Sequence, residues 1–153
     1  HNKSLVGEYG NFVNRNLSFL VKKFNGIIPS GQIDPDVVSI IKETYSKVAH
    51  FIENAELRNA IQEIQQLVRF SNKYYDEKQP WIQVKQDITE FNSTTATCIA
   101  LIINIANLYE PFIPDSSRKV FDFFGITSPN WEYISIEPGV TLKDVSILFP
   151  RID

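Results

Sequence analysis

Asn11 and Arg15 stand four residues apart in GNFVNRNLSFLVKKFNG, the stretch from Gly10 to Gly26. If that stretch is helical, the two share one face about a turn apart. Asn is a mediocre helix former, so placing Asn11 and Asn14 beside a guanidinium is a costly choice for an ordinary wet face. An amide offers a donor and an acceptor together, while a guanidinium can stack or grip a phosphate. Trp81 lies far along the chain, directly behind Pro80 in KQPW. A rigid proline before a large aromatic is one way to hold a flat ring outward. Such a ring beside an amide and a guanidinium suits unstacked bases, because an aromatic face replaces about 1–3 kcal/mol of stacking per base. Spacing alone leaves a plainer alternative open, in which Trp81 is core and Asn11 caps or bridges helices.

Other chemistry is sparse. His1 and His50 are the only histidines, one at the chain end and one near a helix end, where a structural role fits. No cysteine pair, His-x-x-x-His spacing or Asp-rich loop suggests a metal site. The six glycines form no phosphate-cradling loop, and no G-x-S-x-G turn is present. Asp76-Glu77 and Asp34/Asp36 read as turn-forming or capping carboxylates at helix ends. Cys98 sits in an apolar segment without a cationic neighbour, as an inert buried thiol would. A catalytic site within these residues is therefore disfavoured, and no cofactor is expected in them.

Around these positions the 153-residue chain is 43% hydrophobic and 22% charged, enough for one globular domain with a sizeable core. A single cysteine excludes an internal disulfide and agrees with a reducing, cytoplasmic setting. The longest apolar run, Cys98 to Ile103, is far short of the roughly 20 residues of a membrane span, so no membrane partner is expected. No signal-peptide pattern is visible. Because the chain opens on His1, already in a helix-like pattern, it reads as a piece of a longer protein. The net charge of −3 argues against general phosphate neutralisation. Any nucleic-acid contact should be a small local site assisted by another domain.

The elements that must position these residues are helices. Segment one, about Ser4 to Phe24, repeats Leu5, Tyr9, Phe12, Val13, Leu17, Leu20, Val21 and Phe24 at helical spacing and stops at Asn25-Gly26. Segment two opens on DPDVV, with Asp34 as cap and Pro35 in the first position, and carries Val38, Ile41, Tyr45, Val48 and Ile52. Segment three, about Ala55 to Tyr75, places Leu57, Ile61, Ile64, Leu67, Val68 and Tyr75 inward, and Pro80 ends it at a helix-to-loop junction. Segment four, about Thr89 to Tyr109, is apolar nearly all round from Cys98 to Leu108 and should be the most buried. A short helix follows EPFIP, with Asp115 as cap and Gly125 as stop. The pattern predicts an all-α bundle of about five helices over 1–126. An irregular tail with short extended pieces, 127–153, packs back on it.

GNFVNR with KKFNG, then NKYYDEKQPW, NIANLYEPFIP and the closing LFPRID occur in the order found in the anticodon-binding domain of methionyl-tRNA synthetase, and the chain resembles that family over almost its whole length. NKYYDEKQPW is the most discriminating piece; EPFIP also occurs in bundles of other class I synthetases. The resemblance implies contacts from Asn11 and Arg15 to bases of a CAU anticodon, with Trp81 stacking on its first base. Asn72 and Pro80 would support the Trp81 loop. Where some members carry a further polar side chain one turn before Asn11, this chain has Gly7, which also weakens a helix by about 0.5–1 kcal/mol. The implied partners are tRNA(Met) and the protein's own catalytic domain, towards which the tail would pack. Methionine would be ligated there, using ATP with Mg2+. Two other readings remain: the equivalent bundle of another class I synthetase, and a non-enzymatic helical interaction module.

Overall fold

The computed structural model describes the backbone of residues 2–145 and side chains from residue 7 to 145; His1, the side chain of Leu5 and the closing LFPRID lie outside the described residues. Six helices follow one another: α1 (Asn2–Phe24), α2 (Pro35–Glu53), α3 (Leu57–Lys78), α4 (Pro80–Gln86), α5 (Ile88–Tyr109) and α6 (Pro114–Phe124). The expected bundle is present, with one helix more than the sequence suggests.

Each boundary has a local cause. Asp34 accepts a hydrogen bond from the Asp36 amide and Pro35 takes the first turn of α2, as capping preferences require. Asn25 and Gly26 end α1 at φ 56° and 74°. Gln79, kept from helical geometry by the proline behind it, turns left-handed at φ 52° and ends α3. Pro80 then opens α4 instead of a loop. The start of α6 also differs from expectation: Ile113 holds the cap position, Pro114 leads the helix and Asp115 falls within its first turn.

The centre is α5, which packs against all five other helices. Every residue from Thr94 to Tyr109 is buried. By length and composition this 22-residue helix could cross a membrane, although its longest uninterrupted apolar run is short; 89% of its apolar window is buried inside the fold. Around it, α1 contributes Tyr9, Phe12, Val13, Leu17 and Leu20. Val21 and Leu57, expected inside, are exposed, and α2 buries Val37 where the sequence pointed to Val38.

Beyond α6 the tail holds the bundle through two buried amides on α5. Asn104 accepts from the Ile134 amide at 2.8 Å and donates to the Ile134 carbonyl at 3.1 Å. Asn107 donates to the carbonyls of Asn130 and Glu132. Tyr45 of α2 joins them, its hydroxyl donating to Asn104 Oδ1 and accepting from Asn107. The expected extended pieces reduce, among the described residues, to one antiparallel bridge between Ile27 and Thr141.

Candidate nucleic-acid interface

Three elements meet at the lower half of α1. The Arg15 side chain leaves α1 towards the last turns of α3, where Asn72, Tyr75 and Asp76 share one face at three- and four-residue steps. Each offers a different chemistry to the guanidinium. Asp76 Oδ1 accepts from Arg15 at 2.5 Å, and Asn72 Oδ1 lies at the long limit of 3.5 Å. The guanidinium carbon lies over the Tyr75 ring, 4.2 Å from its centroid. Arg15 is still 37% exposed and Asp76 59%, so the ion pair is screened by water and worth under about 1 kcal/mol.

Tyr75 is itself buried, wedged edge-on to Phe12 of α1 at 6.4 Å. Burial pushes its phenol above the ordinary value, against a smaller downward pull from Arg15. Trp81 meets the same ring from α4, with centroids 5.7 Å apart and planes tilted by 42°. The left-handed turn at Gln79 and buried Pro80 fold α4 back so that the indole lies against α3. Trp81 nevertheless remains 39% exposed. It is neither sealed in the core nor on the far side from Arg15.

Asn11 lies one turn before Arg15, exposed and without a side-chain hydrogen bond to any described residue. Asn72 does something other than expected. Its amide donates to the carbonyls of Glu8 and Val68, so it braces Arg15 and α1, not the Trp81 segment. Asp76, read from sequence as a turn-forming carboxylate, is instead the ion-pair partner of Arg15. Tyr75 was legible only as an inward residue. The shared face of Asn72, Tyr75 and Asp76 was available as a signal, but nothing local says that α1 covers it.

Away from this cluster, Cys98 is fully enclosed and burial holds its thiol well above the usual range, consistent with an inert residue. His50, in the last turn of α2, lies beside Asn54, whose amide caps that turn by donating to the His50 carbonyl.

Comparison with known proteins bears on the family and the fold. A family model described as the anticodon binding domain of methionyl tRNA ligase matches residues 28–152. Methionine–tRNA ligases of Streptococcus pneumoniae and Bacillus cereus are 39% and 42% identical over all 153 residues, which span 28% of either relative. Asn11 and Arg15 precede the family match but lie within these longer overlaps. The fold is also that of Mycobacterium tuberculosis methionyl-tRNA synthetase in its free state, with a TM-score of 0.86 at 24% identity over 99% of this chain and 33% of that one. The same synthetase bound by methionyl-adenylate gives 0.82 at 24% identity, over 93% of this chain and 30% of that one. A helical bundle with this order of elements, matched over most of its length by that family model, belongs to the anticodon-binding domain family of methionyl tRNA ligase.

Proposed function

We propose that this chain is the tRNA-reading domain of a methionine–tRNA ligase working in the cytoplasm. On this reading it checks the CAU anticodon of tRNA(Met), while methionine and ATP, with Mg2+, react in a catalytic domain outside these residues. Asn11 and Arg15 contact anticodon bases, and Trp81 stacks on the first of them. The tail from residue 127 is the part that faces the catalytic domain. Support comes above all from the exposed indole of Trp81 and the guanidinium of Arg15 resting on one shared ring.

The physics follows from that arrangement. An unpaired loop can lay a base on the indole, and an exposed amide one turn from Arg15 can meet a Watson–Crick edge. The acidic balance of the chain leaves most phosphate contacts to the rest of the ligase, so base contacts discriminate while the backbone supplies much of the affinity. Binding of the correct anticodon then favours the pose that delivers the acceptor end to the catalytic domain, a linkage of binding free energies.

The test is binding of the 153-residue chain to CAU stem-loops and to loops altered at one anticodon base. Trp81→Ala should cost about 1–3 kcal/mol, roughly 5- to 150-fold, on the CAU loop. Lys23→Ala, at an exposed position on α1, should change mainly the salt-dependent part. Equal affinity for CAU and altered loops would remove the reading.

A further inference from the structure

We infer that Tyr75 is a positioning residue of the RNA site, a common backing that fixes Arg15 and Trp81 relative to each other before any RNA arrives. The inference rests on the RNA-reading proposal above and adds to it a residue that contacts no base.

The geometry is specific. The guanidinium carbon of Arg15 lies over the Tyr75 ring while its nitrogens donate to Asp76 and Asn72, and the side chain keeps 37% of its surface exposed. The Trp81 indole rests on the same phenol ring and keeps its own exposed portion. Two flat platforms, one cationic and one aromatic, therefore share a single support. Their separation cannot exceed the two distances from the Tyr75 centroid laid end to end. Tyr75 is itself immobilised, 6% exposed and held edge-on by Phe12. Without such a backing, an arginine side chain samples many rotamers, and ordering it on binding costs about 0.5–1.5 kcal/mol. A preformed pair avoids that cost and sets the spacing at which two groups of an unpaired loop can be met together. The ring supplies these contacts and the Tyr75 hydroxyl bonds to no described residue, so Phe should serve almost as well.

The experiment compares the parent chain with Tyr75→Phe and Tyr75→Leu. Each is combined with Arg15→Ala or Trp81→Ala and titrated with the CAU stem-loop and with loops altered at one anticodon base. Tyr75→Leu should weaken CAU binding about fivefold or more and narrow the gap to altered loops, while Tyr75→Phe stays within about twofold of the parent. The penalties of Arg15→Ala and Trp81→Ala should shrink in the Tyr75→Leu background, as coupled positions require. A second measurement uses no RNA: in NMR spectra, the Arg15 Nε–H and Trp81 indole N–H resonances should both shift in Tyr75→Leu and hold in Tyr75→Phe.

If the parent separates CAU from altered loops and Tyr75→Leu does so equally well, or its effect simply adds to the other two, Tyr75 positions nothing. If the two resonances stay put in a folded Tyr75→Leu chain, the inference fails whatever the RNA result. A parent that does not distinguish the loops overturns the RNA reading instead. The resonance shifts then still decide whether Tyr75 holds the two side chains together.

Discussion

Asn104→Leu isolates what the buried amide on α5 contributes. Leucine keeps the branched outline of asparagine, so no cavity opens; its bulkier methyl groups add some overpacking, and the main loss is that of polar partners. Asn104 is fully buried and makes four side-chain hydrogen bonds, to Ala100 and Ile134 carbonyls and from the Ile134 amide and Tyr45 hydroxyl. Replacement strands both backbone groups of Ile134. The Tyr45 hydroxyl keeps Asn107 as a donor, and the Ala100 carbonyl loses only a supplementary partner. Two stranded groups at about 1–3 kcal/mol each set the scale, and water reaching the loosened tail recovers part of it. The expected loss is about 3 kcal/mol, a large share of a typical 5–15 kcal/mol. Urea denaturation measures the loss, and native-state hydrogen exchange should show the Ile134 amide losing protection beyond the global change. A loss under about 1 kcal/mol with Ile134 still protected would refute the idea that Asn104 holds the tail.

Gly31→Ala should destabilise by about 3 kcal/mol, at the upper end for overpacking, because a Cβ there would lie 2.3 Å from the Asn92 carbonyl oxygen. Ser30→Ala, exposed next door, should change the melting temperature little, and equal effects of the two would remove the argument. Alkaline pH should also unfold the chain. Burial raises the phenols of Tyr9, Tyr45, Tyr75 and Tyr109 above the ordinary 10.0 and that of Tyr74 to about 12. Above pH 10 the unfolded chain therefore loses protons that the folded chain keeps, and stability falls as pH rises. The urea midpoint should decline above pH 10, with phenolate absorbance rising as the chain unfolds. A flat midpoint to about pH 11 would contradict it.

Much of the helical frame was readable from the chain. Asp34-Pro35, Asn25-Gly26 and Gly125 mark boundaries through local backbone chemistry, and the apolar circumference of α5 announces its burial. Periodicity was less secure at helix ends. Leu57 begins α3 where few neighbours cover it, and Val21 ends up on the exposed side of α1. A proline after Gln79 was legible as a break, but a break does not say whether a loop or a new helix follows.

The sequence by itself offered Asn11, Arg15 and Trp81 as candidates for the proposed RNA site, and it determined five of the six helices, their order and the central place of α5. These depend on neighbours within a turn or two, through hydrogen bonds and periodic burial that a single stretch carries. Only the tertiary structure decided that Tyr75 lies beneath both Arg15 and Trp81, that Asp76 pairs with Arg15, and that Asn104 and Asn107 hold the tail. The Arg15–Asp76 pair joins residues 61 apart and the Asn104–Ile134 bonds join residues 30 apart. Such pairings follow from which helix faces pack together, and that choice minimises exposed apolar area over the whole bundle.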